Sequence, residues 1–221
     1  FIIMETRRRF IKQVLTGTAG LALSGTVFSG SPAIYRRIRG ANEKIRVGII
    51  GFSDRFRSAL LPCFLEHAAE LNFEIAALSD IWSVRRNEGK AFIREKAGWD
   101  VALCMNNDEL FARNDIDAVI ISTADFQHAL HLSDAARAGK DAYVEKPFAE
   151  TMKDAKTALQ ACRESGIVVQ IGSQRRSGAN YLAANEYIKS GKFGDIVMVE
   201  MCWNVNQPGR WRRPALVAAI R

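Results

Sequence analysis

The feature that most constrains this chain is a repeated order: a short apolar, β-branched run, a turn of Gly, Ser or Asp, then a polar segment of helix length. The runs are Ile45–Gly51, Phe73–Leu78, Asp117–Ser122, Asp141–Val144 and Ile167–Ile171, with a shorter one at Val101–Cys104. The helix-length segments between them are Arg57–Glu70, Val84–Lys96, Asn107–Ala112, Phe126–Ala138, and one that starts at Thr151 and stops at Gly166. Strands alternating with helices of this length imply βαβ units and a parallel sheet. Near-continuous apolar runs also suit strands buried on both faces. Local punctuation agrees: Asp125 is placed to cap one helix and Gly139 to end it, and Thr151-Met152-Lys153-Asp154 reads as a capping box. After Gly172 the pattern predicts a helix over Asn180–Ser190, closed by Gly191, and a strand over Ile196–Trp203. The fold class is therefore α/β, with a parallel sheet over 44–172 and a further helix and strand begun over 173–221.

Charge narrows the function. Of the net +7, the set Arg7, Arg8, Arg9 and Lys12 against Glu5 carries +3. No basic run interleaved with aromatics is left, so nucleic acid is not an expected partner. The four cysteines, Cys63, Cys104, Cys162 and Cys202, show neither CxxC spacing nor a neighbouring His pattern. No metal site or disulfide framework is expected, and the thiols read as buried and free.

Thr6-Arg7-Arg8-Arg9-Phe10-Ile11-Lys12 resembles a twin-arginine export signal, with Ile for Leu. Behind it Val14–Phe28 is mildly apolar and rich in small residues, too short and too weakly hydrophobic for a comfortable membrane span. The expected organisation is a signal segment over 1–33, a basic linker over 34–43, and export to the periplasm. Contact with the membrane is expected only through the signal, as an anchor if it is retained. Met4 is the first plausible start.

A dinucleotide fingerprint after the first strand would read G-x-G-x-x-G, with an acid about 20 residues on. Here the window is Gly51-Phe52-Ser53-Asp54-Arg55-Phe56. The glycine of the tight turn is kept. Ser53, small and able to donate, stands where backbone approaches pyrophosphate. Phe56 replaces the glycine of close helix–strand packing, so the helix must shift or the loop must differ. Gly51, Ser53, Asp54 and Arg55 are the candidate contacts of this loop. Asp80, which ends the second strand, is the candidate for the ribose hydroxyls. A carboxylate there favours NAD, while nearby Arg85 and Arg86 keep NADP open.

Ala138-Gly139-Lys140-Asp141-Ala142-Tyr143-Val144-Glu145-Lys146-Pro147 ends a helix, runs a buried strand and delivers Glu-Lys-Pro at the strand's carboxyl end. Ligands of open α/β sheets lie outside the carboxyl ends of the strands. Pro147 fixes its own φ and drives Lys146 away from the helical region, so this backbone is stiff.

These segments together resemble the glucose–fructose oxidoreductase / inositol dehydrogenase (Gfo/Idh/MocA) family. Asp117-Ala118-Val119-Ile120-Ile121-Ser122-Thr123 looks like its D-A-V-x-I-x-T strand, and 138–147 matches its A-G-K-x-V-x-x-E-K-P signature. Phe126-Gln127-His128-Ala129 sits where that family has a histidine opening a helix, and Gln170–Arg176 resembles the exit from its nucleotide domain. The resemblance covers about 44–213 and implies a Rossmann-type parallel sheet over 44–172, then the start of an α/β domain with a mixed sheet over 173–221. It implies hydride transfer between a nicotinamide and a secondary alcohol of a sugar or cyclitol, with Lys146 buried in the crevice and assisting proton transfer. It implies that Glu145 anchors the loop or meets the ribose, and that Thr123 and His128 line the cofactor. His128 can equally be a helix-terminal residue satisfied by the loop. Gln174, Arg175, Asn204 and Arg212 become candidates for sugar hydroxyls, and Trp203 for core. Homo-oligomers are expected where the second domain is complete. No counterpart of the family's His-bearing catalytic helix precedes Arg221, so the expectation is a C-terminally truncated chain with weak catalysis. A glycosidase acting by transient oxidation, and a non-catalytic nucleotide binder, are the alternatives from other classes.

Overall fold

A computed structural model describes residues 44–202. The signal, the linker, Trp203, Asn204 and Arg212 lie outside them. The described residues divide after Gly172 into two compact units.

The first unit contains six strands: β1 (Ile45–Ile50), β2 (Phe73–Ser79), β3 (Ala102–Cys104), β4 (Ala118–Ile121), β5 (Asp141–Glu145) and β6 (Val169–Gly172). They form one sheet in the order β3-β2-β1-β4-β5-β6. Every pairing is parallel. The order reverses between β1 and β4, which opens a crevice at their carboxyl ends. Alternate side chains feed two cores. Val119, Ile121, Ala142 and Val144 join one with Leu132, Ala135 and Ala158. Val47, Ile49, Ile75 and Ile120 join the other with Phe52, Phe56, Leu61 and Ile93, and Tyr143 packs against it.

Five helices of this unit cover the sheet. The first, α1, runs as a π-helical segment Phe56–Leu60 followed by α-helical Leu61–Leu71. The others are α2 (Ser83–Ala97), α3 (Asn107–Phe111), α4 (His128–Arg137) and α5 (Met152–Ser165). The wide winding of α1 has two local causes. Pro62 inside the run offers no N–H and crowds the carbonyl one turn back, and Leu61 N–H instead reaches the Phe56 carbonyl. Phe56 is fully buried with its ring centroid 6.0 Å from that of Phe52. The helix thus accommodates the missing glycine by opening its first turn.

At the end of α4, Gly139 N–H bonds the Ala136 carbonyl and Lys140 N–H the Ala135 carbonyl, both at 2.9 Å, which is a Schellman motif. Thr151 caps α5 by accepting from Asp154 N–H at 3.1 Å. Asp125 does not cap: a 3-10 turn over Asp125–Gln127 precedes α4, with no side-chain cap bond at either boundary. Of the cysteines only Cys104 is buried; Cys63 and Cys202 are exposed and Cys162 is intermediate, all free.

The second unit contains a 3-10 turn (Gln174–Ser177) and α6 (Ala179–Lys189). The strand expected over Ile196–Trp203 is not present in its described part, 196–202. A strand needs a ladder partner, and the described residues of this unit contain none.

Candidate active site

The crevice is built from the turn after β1 and the carboxyl ends of β2, β4 and β5. Gly51 has φ +85°, and a Cβ there would lie 2.8 Å from the Thr123 methyl. Both the backbone conformation and the close approach of the β4 loop require glycine. Phe52 N–H donates to Asp80 Oδ2 at 3.0 Å, and Trp82 N–H to Asp80 Oδ1 at 2.9 Å. Asp80 therefore ties the β1 turn to the β2 turn, and each of its oxygens has a second lone pair. Ser53 steadies the turn that leads into α1: its Oγ accepts from Phe56 N–H at 3.1 Å. Its hydroxyl hydrogen remains a donor. Asp54 faces Arg85 at 3.6 Å, and Arg85 also pairs with Glu88 at 3.0 Å. Arg86 donates to the Asp80 carbonyl.

A dinucleotide fits this arrangement. The glycine turn, a helix starting directly after it, and a carboxylate at the end of β2 are what a pyrophosphate and a ribose require. Bound there, NAD supplies the hydride donor or acceptor.

Glu145 is buried with its side chain 3% exposed, and Arg55 pairs with it through Nε at 2.9 Å from Oε1. Tyr143 O–H donates to the same oxygen at 3.2 Å, and Lys146 N–H donates to Oε2 at 3.2 Å. Burial, and then the Glu145 charge beside it, pushes the Tyr143 hydroxyl up to about 12. Of the two roles expected for Glu145, the geometry realises the anchor of the loop. Arg55, expected as a cofactor contact, is the anchor's other end. Lys146 itself is exposed, not buried as expected. The peptide between Lys146 and Pro147 is cis.

His128 is fully buried, with Nδ1 2.7 Å from the Pro147 carbonyl and Nε2 3.2 Å from the Thr123 carbonyl. Its ring joins the β4 and β5 loops from inside the protein, with both nitrogens facing backbone carbonyls. Thr123 Oγ1 is buried without a hydrogen-bond partner. Gln174 and Arg175 belong to the second unit, where both are exposed and Arg175 donates to Tyr181 Oη at 3.0 Å.

Two groups escaped the sequence reading. Tyr143 shares the Glu145 face of β5, which the period of two along a strand signals. A chain from Ser79 Oγ to Asn107 Oδ1 (2.7 Å) and from Asn107 Nδ2 to His131 Nδ1 (3.1 Å) had no sequence signal. Among the described residues, no group of three His, Cys, Asp or Glu is placed to hold a metal. No described helix is long and apolar enough to cross a membrane.

The strand order, the glycine turn and the terminal acid define a dinucleotide-binding domain of the doubly wound kind. The oxidoreductase family with an NAD-binding Rossmann fold, Gfo/Idh/MocA, matches residues 45–173, and the chain belongs to it. An inositol 2-dehydrogenase of Gluconacetobacter diazotrophicus is 34% identical over 101 residues, 45% of this chain and 30% of the relative. An alpha-N-acetylgalactosaminidase of Shewanella oneidensis is 27% identical over 232 residues, 93% of this chain and 50% of the relative. The fold matches the WlbA dehydrogenase from Bordetella pertussis, solved with NADH and UDP-GlcNAcA. That match has TM-score 0.61 and 23% identity, over 69% of this chain and 44% of that one. The first curated relatives are matched over about a third of their length, 32% and 30%.

Proposed function

We propose that this chain belongs to an enzyme that moves a hydride between NAD and a secondary alcohol carbon of a sugar or cyclitol. Lys146 assists the accompanying proton transfer. The observation that carries the reading is Lys146 itself: an exposed amino group at the carboxyl end of β5, one residue from a carboxylate bonded to the nucleotide turn. Lys146 Nζ hydrogen-bonds the reacting hydroxyl and takes or returns its proton as the carbon loses or gains hydride. Gln174 and Arg175, with Asn204 and Arg212, supply amide and guanidinium donors to sugar hydroxyls. Asp80 favours NAD over NADP, because a carboxylate accepts from a ribose hydroxyl and repels a 2′-phosphate. Arg85 and Arg86, the residues that would serve NADP, are each engaged within the protein. Export by the twin-arginine route and self-association through a complete second domain belong to the same proposal.

The second reading is an NAD-dependent glycosidase that oxidises, eliminates and re-reduces. Alignment with the α-N-acetylgalactosaminidase over 93% of this chain favours it. Net NADH formation from a sugar or cyclitol supports the dehydrogenase; release of the aglycone without net nicotinamide change supports the glycosidase. The third reading is a non-catalytic nucleotide binder, supported by NAD binding without either turnover. Purified chain showing neither fluorescence quench nor thermal stabilisation at millimolar NAD removes all three.

A further inference from the structure

We propose that Arg55 is a positioning residue for Lys146, coupling the nucleotide turn to the presentation of the lysine through Glu145. The inference rests on the reading of this crevice as a nicotinamide site with Lys146 in it. Glu145 is 2% exposed and has one cation, Arg55, among the described residues. Its two oxygens are divided between the two loops. Oε1 is held by Arg55 Nε at 2.9 Å and steadied by Tyr143 O–H at 3.2 Å. Oε2 takes the peptide N–H of Lys146 at 3.2 Å. One rigid carboxylate thus bridges the fifth residue of the fingerprint window and the backbone of the lysine.

The choice of residue fits this task. A guanidinium presents five donors in a planar fork, and only Nε is committed to Glu145. Arg55 is more than a third exposed, 38% at the side chain, so its outer nitrogens stay available to an anion at the turn while Nε keeps Glu145. A lysine is a single point charge and cannot hold two anions in that geometry. Tyr143 is in turn fixed from behind. A Cβ on Gly172 would lie 2.4 Å from the Tyr143 hydroxyl oxygen, so only glycine lets the ring reach Glu145. Without the Arg55 cation the buried carboxylate is uncompensated and turns toward water. That turn releases the Lys146 N–H.

The test reads Lys146 directly. Reductive methylation of the full chain with 13C-formaldehyde labels its lysines, and the Lys146 resonance is the one missing from Lys146→Arg. NADH is titrated while its fluorescence gives the Kd. In the wild type the Lys146 resonance is expected to move on saturation. In Arg55→Met the Kd is expected to rise by no more than about tenfold (about 1.4 kcal/mol), with the Lys146 response largely lost. Arg55→Lys recovers part of it. Glu145→Gln, which keeps the shape, loses the response as Arg55→Met does, and decides the matter where Arg55→Met fails to fold. A full Lys146 response in NADH-bound Arg55→Met or Glu145→Gln overturns the proposal. Complete loss of NADH binding in Arg55→Met, with the fold intact by circular dichroism, also overturns it, because Arg55 would then serve cofactor binding itself and not the placement of Lys146. A wild type that binds no NADH overturns the nicotinamide reading instead, and the coupling falls with it.

Discussion

At Gly51 two requirements coincide, and each excludes a side chain. The φ of +85° disfavours any L-residue, and the Thr123 methyl occupies the space a Cβ would take. Gly51→Ala is therefore expected to destabilise the first unit by roughly 1–3 kcal/mol, the scale of one forced left-handed residue, and to weaken NADH binding. Urea unfolding and fluorescence titration check both; unchanged values of either contradict the assigned turn. Lys146 makes the opposite kind of case. Its exposed side chain carries no packing, so Lys146→Met is expected to leave the unfolding midpoint and NADH affinity unchanged. Turnover is expected to fall by about a hundredfold or more, the usual contribution of a positioned proton-transfer group. A variant that keeps its rate removes Lys146 from the chemistry. The places of both residues at strand ends were legible in the sequence from the apolar runs that precede them, while the exposure of Lys146 was not. The contacts of Glu145 and His128 were not, since they depend on which loops a strand order brings together.

At the level of elements, the strand and helix positions followed from periodicity, and the departures have local physical causes. The π-helical start of α1 follows from Pro62 together with Phe56, a combination no hydrophobic pattern reports. The 3-10 turn before α4 replaced the expected Asp125 cap, because His128 must reach back to the Thr123 and Pro147 carbonyls. A hydrogen bond between α3 and α4 creates a pH dependence. Asn107 takes the Ser79 hydroxyl on Oδ1 and offers Nδ2 to His131, so the neutral ring accepts at Nδ1. Burial holds the His131 ring below the usual imidazole value, with the Asp134 carboxylate opposing and the His128 ring adding to the effect. The unfolded chain then binds this proton more tightly than the folded one. Stability is full above the unfolded value of about 6.5 and is lost as pH falls from there toward the lowered folded value. His131→Leu is expected to lose less stability than the wild type between about pH 7 and pH 5. Equal losses in urea unfolding at the two pH values place the acid sensitivity elsewhere.

For the molecule as a whole, the nucleotide domain stands as a unit with its own two-sided core, while the strand expected near residue 200 does not appear in isolation. That contrast is physical: a parallel βαβ sheet closes its hydrogen bonds within 45–172, whereas a lone apolar stretch has no ladder to join. A unit that folds and takes its cofactor from the cytoplasm is the kind of cargo a twin-arginine signal serves, and Arg7-Arg8 of the sequence Thr6-Arg7-Arg8-Arg9-Phe10-Ile11-Lys12 is the feature that would be read. On the proposal of twin-arginine export, the arginine pair would be read as a shape and not as charge alone, since a guanidinium fork is not replaced by an ammonium. Arg7→Lys combined with Arg8→Lys and Arg9→Lys keeps the charge of the segment and removes the pair. This variant is expected to accumulate in the cytoplasm, folded and still binding NADH, while the unchanged chain reaches the periplasm. Fractionation against markers of both compartments reads the outcome. Equal periplasmic amounts of the two chains would show that the segment is not a twin-arginine address, and an unchanged chain confined to the cytoplasm would exclude export altogether.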